Sequence, residues 1–470
     1  MTKPVWTHSI PPIALAAALL SAGCAARRVQ QEPALPRIPA SDTWNTSVGS
    51  ATPADDDALA RWWTTLGDPL LASLEERAVQ GNLELRKAGQ KIRQAQAEWQ
   101  AARADRSVSA TLSSSATGYR TSTRSGGVYS QSYNGTLDAS WEPDFFHRIE
   151  QTASAYGIDV ETAKEDQRSV LVSLTAQVAL DYIDLRSYQK QLALTRRNLE
   201  WQEQTYELTA AKYDSGLATK LDIEQAAANV ESTRASIPTL ETGIQKSSNA
   251  IAVLLGERPA AVDAELAEVK PIPLVPVDVA VGIPADLVRR RPDIRGAERQ
   301  VAAQSARVSA ATASLYPTFS LSVNFSLKSF NVLNYLTPAS LASSLAGSVQ
   351  QTVFNRRKLH ENVNAQNAAL DQSVTAYENT LLTALQDVED ALKAFAGEQA
   401  RRKWLAAAAA SAERAAEMAR NLYGSGLKDF LTVLDAERSV LSLQNELAQS
   451  EASVTANLVR LYKALGGGWR

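Results

Sequence analysis

The chain has 470 residues, 45% of them hydrophobic and 21% charged, a composition that excludes an intrinsically disordered protein and leaves room for several domains or one long one. Its formal net charge of −3 points to no nucleic-acid partner, and its single cysteine excludes an intrachain disulfide framework. Beyond the N-terminus no run of about twenty apolar residues occurs, so a membrane crossing would have to be made by strands.

Residues 1–23 read as a signal peptide, with Lys3 as the basic flank and "IALAAALL" at 13–20 as the apolar segment. "SAGC" at 21–24 is similar to a bacterial lipobox, although its leucine, Leu20, stands one place further from the cysteine than usual. Cys24 is therefore the expected lipid-attachment residue, and a diacylglycerol plus an amide-linked chain would meet the two-signal requirement for stable anchoring. Ala25 after it, rather than Asp, fits the outer membrane. The alternative is an ordinary cleaved signal that leaves a free thiol.

Residues 24–60 carry Pro, Ser and Asp without a clear period and read as a tether. A first unit spans 61–255. It opens with helical spacing through "DPLLASLEERAVQGNLELRKAGQKIRQAQAEWQAARAD" and continues with strands at about 107–120 and 131–143, joined by the polar, Gly-rich "TRSGGVYSQS". Long helices over 151–254 follow, broken at "KYDSGLATKLD", where Gly216 suits a left-handed cap. Residues 256–290 are a Pro-rich connector. The second unit, 291–470, has strands at about 317–330 and 341–354 and long helices over 356–465.

The second unit restates the first. "NLELRKA" at 82–88 answers to "RPDIRGA" at 291–297, "DFFHR" at 144–148 to "TVFNR" at 352–356, and "YDSGLATKLDIEQA" at 213–226 to "YGSGLKDFLTVLDA" at 423–436, all about 210 residues apart. Two hairpins make four strands per chain. In "PTFSLSVNFSLKSF" Phe319, Leu321, Val323, Phe325 and Leu327 alternate with Ser, Thr, Asn and Lys. An open four-stranded sheet cannot rest in lipid, because its edges leave backbone groups unpaired. Eight strands from two chains would fill their own interior, whereas twelve from three chains would enclose a lumen. A soluble hairpin packed on helices is the competing possibility.

No catalytic constellation is present. His8, His147 and His360 lack metal-ligand spacing, and neither "GLATK" nor "GSGLK" has the form of a phosphate-binding loop, so neither an enzyme nor a cofactor is expected. "RRRPDIR" at 289–295 reads as a helix start, with Pro292 in the first turn and Asp293 complementing the dipole, rather than as a nucleic-acid patch.

"WWTTLGDPLLASLEERAVQGN", "SWEPDFFHR", "YDSGLATKLDIEQA", "RRRPDIRGAERQVAAQSARVSAATASLYPTFSLS", "YGSGLKDFLTVLDAERSV" and "LYKALGGGW" together resemble the outer-membrane efflux lipoproteins, the OprM branch of the TolC-like family. One departure is His147, where the family usually has Gly. The resemblance implies a mainly α fold with a pair of membrane hairpins: a homotrimer with a 12-stranded outer-membrane barrel continued by a 12-helix periplasmic barrel. It implies an exit duct for small molecules such as drugs, anchored by lipid in the outer membrane and working with a periplasmic adaptor and an inner-membrane RND-type transporter. It further implies a gate at the periplasmic tip, with Asp222, Tyr423 and Lys428 tying adjacent helix pairs together and Leu431 and Asp435 narrowing the mouth. Thr432 stands where the TolC branch has an acid, so one acidic ring is expected from this repeat. A duct for secreted proteins and a non-transporting periplasmic coiled-coil protein remain as alternatives.

Overall fold

The computed structural model describes residues 59–124, 126–273 and 290–469; Cys24, the signal peptide and most of the tether lie outside them, as do 274–289 of the connector. The described chain divides into two compact units, residues 94–161 with 298–375, and residues 59–93 with 162–273, 290–297 and 376–469. Along the chain the order is α1 (Pro69–Gly81), α2 (Leu83–Ala104), β1 (Ser109–Thr123), β2 (Gly126–Trp141), α3 (Arg148–Asp214), α4 (Lys220–Leu254), the short α5 (Asp263–Leu266), α6 (Pro292–Ala313), β3 (Thr318–Ser329), β4 (Leu341–Gln350), α7 (Arg356–Gly424) and α8 (Phe430–Ala464). Helix, two strands, a long helix and a shorter helix thus occur twice in succession.

The first unit holds one antiparallel sheet in the order β1-β2-β3-β4. Its register decides which side chains share a face. Val323 pairs with Ala139 and Leu345, Phe325 with Leu137 and Ser343, and Leu327 with Gly135 and Leu341. Leu112 stands opposite Leu137. Because side chains alternate, Leu112, Leu137, the odd residues of 319–327, Leu341, Leu345 and Val349 all emerge on one side. The other side carries Ser109, Ser140, Ser322, Asn324 and Ser348, where Asn324 donates from Nδ2 to Asp138 Oδ1 at 2.5 Å. Aromatic rings mark both ends of the apolar side. Phe145 meets Phe319 edge-on at 5.1 Å and Phe146 stacks on Tyr316 at 4.8 Å, while Tyr133 and Tyr335 lie 6.4 Å apart at the other end.

Several boundaries differ from the sequence expectation. The first hairpin has no long loop: β1 runs on to Thr123 and β2 begins at Gly126, so most of "TRSGGVYSQS" is strand. That segment is polar on both faces, which hides the alternation while leaving the backbone ladder intact. β2 stops at Trp141 and β4 at Gln350, short of the expected 143 and 354. After β4, Gln351 turns away to donate from Nε2 to the carbonyl of Leu315, and Asn355 takes a left-handed φ of 61°. His147 occupies the matching place after β2 with φ 60°. A glycine fits that conformation without strain, and a histidine there costs on the order of 1 kcal/mol. Its Nδ1 lies 2.9 Å from Glu150 Oε2, a local bond that offsets part of the cost. The helical stretch before β1 is two helices, because Asn82 caps the second, accepting at Oδ1 from Leu85 N at 2.9 Å and donating from Nδ2 to the Leu254 carbonyl.

The second unit has the larger core. Trp62 stacks on Tyr462 at 5.4 Å, and Leu71, Leu74, Tyr182, Ile183, Leu392, Phe395 and Leu458 pack around them with essentially no exposure. Asp68 caps α1 by accepting from Leu70 N and Leu71 N, and its second oxygen accepts from the Tyr182 hydroxyl at 2.6 Å. The expected helix start at Pro292 is present, and Arg291 before it makes a three-way tie. Its guanidinium bonds Asp293 at 3.1 and 2.7 Å, Asp387 of α7 at 3.1 Å and the carbonyl of Ala464 at the end of α8 at 2.9 Å. A cleft of about 540 Å³ beside this tie is lined by Arg291, Asp387, Asp390, Arg460 and Lys463. Among the described residues no helix is long and apolar enough to cross a membrane.

Candidate functional site

The residues expected to form a gate lie at the two helical turns that join α3 to α4 and α7 to α8. Both turns are built alike. Gly216 has φ 75°, its N–H reaches the Tyr213 carbonyl at 2.8 Å, and the Leu217 N–H reaches the Lys212 carbonyl at 2.7 Å. Gly426 has φ 74°, with its N–H on the Tyr423 carbonyl at 3.0 Å and the Leu427 N–H on the Leu422 carbonyl at 2.9 Å. This pair of bonds closes the helix C-terminus and demands the left-handed residue that glycine supplies. The next helix then starts on a polar cap. Thr219 and Asp222 form a reciprocal capping box, in which Asp222 Oδ2 accepts from Thr219 N and from its hydroxyl, each at 2.8 Å. In the second turn Asp429 caps α8, accepting from Thr432 N at 3.1 Å and from the Thr432 hydroxyl. Those bonds hold the Asp429 carboxyl below the usual carboxylate range. Thr432, in place of the acid, is thus the cap's partner.

Tyr423 is buried, and it fastens α7 to α3. Its hydroxyl donates to Thr209 Oγ1 at 3.1 Å, and Lys212 Nζ sits 4.4 Å from its ring centre and also binds its carbonyl oxygen. Phe430 meets the ring edge-on at 5.9 Å, and Ala226, Ala419, Val433 and Leu434 complete the cluster. Burial, reinforced by the charge of Asp222, pushes the phenol's pKa up, although the bond to Thr209 works against this. The hydroxyl therefore stays a neutral donor at physiological pH. Asp222 is close enough to Tyr423 for its charge to be felt there, and its Oδ1 has no hydrogen bond among the described residues.

Within the chain Lys428 is exposed and has no hydrogen-bond or ion-pair partner among the described residues. Leu431, 50% exposed, and the exposed Asp435 follow one another along the solvent side of α8. The structure thus sets Asp222 in the α4 cap and Tyr423 in the buried cluster, and leaves Lys428, Leu431 and Asp435 facing outward. Three participants escape a reading of the sequence: Thr209, Lys212 and Phe430. Thr209 and Lys212 are more than two hundred positions from Tyr423, and no local pattern links them to it. Leu221, at the place in α4 that Leu431 holds in α8, is 64% exposed, and the repeat spacing could have pointed to it.

Nothing in these turns is equipped for catalysis. Among the described residues no group of three His, Cys, Asp or Glu side chains is placed to hold a metal ion. What the turns offer is two rigid caps, one buried tyrosine tie and a set of outward leucines and charges.

Comparison with known proteins places this architecture. The family described as outer membrane efflux protein matches residues 74–257 and again 283–467. Nodulation protein T of Rhizobium leguminosarum bv. trifolii is 31% identical over 459 residues, covering 96% of each chain. Outer membrane protein OprJ of Pseudomonas aeruginosa is 31% identical, covering 100% of this chain and 97% of its own. The solved structure of the outer-membrane channel OprN superposes with a TM-score of 0.83 at 31% identity, over 92% of this chain and 99% of that one. This is a family of efflux channels and not of enzymes. With its mainly helical fold, the one small sheet among its described residues and two matches that together span most of its length, the chain belongs to the outer membrane efflux protein family.

Proposed function

We propose that three copies of the chain close a 12-stranded barrel in the outer membrane, continued by a barrel of 12 helices in the periplasm, each chain supplying two copies of one structural unit. In this assembly the protein is a passive exit duct for small molecules, serving an inner-membrane RND-type transporter through a periplasmic adaptor, and energy enters only at the transporter. The sheet supports this best. It has one apolar face ringed by aromatic residues, and β1 and β4 each present an outer edge. Such edges cannot be left open in hydrocarbon, and three such sheets joined edge to edge leave none. Cys24 adds a lipid anchor. Labelling with radioactive palmitate should mark the wild type and leave Cys24→Ser unmarked, and equal labelling of both would remove the anchor from the proposal.

The helical turns form the gate. Three-fold symmetry sets three copies of Leu431 and Asp435 around the axis, the leucines narrowing the passage and the carboxylates favouring cations. Asp222 of one helix pair faces Lys428 and Tyr423 across the boundary with the next and holds the ring shut. An exposed pair of this kind contributes about 0–1 kcal/mol, so three copies bias the gate without locking it against a docking adaptor. In planar bilayers Lys428→Ala, alone or with Asp222→Ala, should raise single-channel conductance, and Asp435→Asn should lower cation preference. Thr219→Val is the control, because it weakens the α4 cap and spares both charges. Wild-type conductance in the Lys428 variants would show that the latch lies elsewhere.

A further inference from the structure

On the apolar side of the sheet, β1 reads Ala110, Leu112, Ser114, Ala116, Gly118 and then Arg120. Arg120 stands opposite Tyr129 of β2, beyond Tyr133, the last β2 residue paired with β3. The pair is laid flat against the sheet over two glycines. A Cβ on Gly127 would lie 3.0 Å from Arg120 Nε, and one on Gly118 would lie 2.9 Å from the Tyr129 hydroxyl. Arg120 makes no ion pair among the described residues, and residues 107–133 hold Arg120 and Arg124 with no acidic side chain. A cation on the lipid side of a strand is costly at mid-membrane and cheap at the interface. Arg120 lies about 13 Å along the strand past Ala116, or about 10 Å along the membrane normal at the usual strand tilt. Ala116 pairs with Tyr133 at the aromatic end of the apolar side, so Arg120 lies outside the hydrocarbon, on the headgroup side of that ring.

We propose that Arg120 forms a binding site for the phosphate of a phosphorylated lipid in the outer leaflet, with Arg124 adding to the local positive field. The site rests on the assignment of this sheet to the outer membrane. A guanidinium supplies a fork of donors suited to phosphate oxygens.

The test is native mass spectrometry of the detergent-extracted protein titrated with diphosphoryl lipid A, its dephosphorylated counterpart and inorganic phosphate. The wild type should retain the diphosphoryl lipid in preference to the dephosphorylated one. Arg120→Gln should weaken diphosphoryl lipid binding about fivefold, as expected for one basic residue near an anionic surface, and Arg120→Lys should restore part of it. Binding of the dephosphorylated lipid should not change. Equal retention of both lipids, unchanged binding by Arg120→Gln, or full displacement by millimolar phosphate would overturn the site. Bilayer conductance of the same preparations separates the two claims. A wild type that conducts but shows no phosphate preference loses only the lipid site, whereas one that never inserts loses the membrane assignment and the site with it.

Discussion

An arginine at position 323 should keep the protein from assembling in the outer membrane, while an arginine at 322 should be carried. Val323 sits between Ala139 and Leu345 on the side that also holds Leu321, Phe325 and Leu137. If that side faces lipid, a charge near mid-bilayer costs about 2–4 kcal/mol, and each assembled barrel bears it three times. Ser322 lies on the opposite side between Ser140 and Ala346, where a polar interior would hydrate the new side chain. The amount of heat-modifiable oligomer in outer-membrane fractions checks this. Similar amounts from both variants would mean that the sheet does not have one face in lipid.

The second large effect concerns stability. Arg291→Ala removes the tie between the start of α6, Asp387 of α7 and the last carbonyl of α8. The arginine side chain is only 12% exposed, whereas Asp293 and Asp387 are 39% and 47% exposed. Breaking a fully buried pair costs about 3–5 kcal/mol, but here the two carboxylates can rehydrate, so about 2–3 kcal/mol is expected. Burial alone would lower the guanidinium's pKa, and its bonds to Asp293 and Asp387 outweigh that and raise it, so the charge persists at any physiological pH. Arg291→Lys keeps the charge and loses the fork, and it should fall between wild type and alanine. Thermal unfolding of the extracted protein measures both. Midpoints equal to wild type in both variants would show that the tie contributes nothing.

How far the sequence reaches depends on whether the deciding pattern is local. Alternation in 318–329 is legible because one face is apolar and the other polar, so the structure's Thr318–Ser329 falls within a residue of the expected ends. The same test fails at 123–132, where Ser, Gly, Tyr and Gln give both faces the same character. β4 is hard to read for a related reason: Ser343 and Gly347 interrupt its apolar side, and only the register with β3 aligns Leu341, Leu345 and Val349. The turns at Gly216 and Gly426 are legible because their chemistry is contained in a few residues. The tie from Tyr423 to Thr209 and Lys212 is not, since packing between distant helices creates it. Likewise "RRRPDIR" announces a helix start, but which groups Arg291 grips is decided by α7 and α8.

The histidine at 147 shows both sides at once. Its departure from the family's glycine is visible in the sequence, while the reason glycine is favoured, a φ of 60°, is visible only in the backbone. Asn355 at the matching place in the second unit carries the same conformation. Asparagine tolerates it better than most side chains, so each unit handles the strand-to-helix turn with a different residue.

Four strands per chain are, on the proposed function, a fraction of a closed barrel. The most direct measurement is the native mass of the complex extracted from outer membranes in mild detergent, compared with that of the mature chain. Three copies per complex are expected. A single copy, or two, stably resident in the membrane would contradict it.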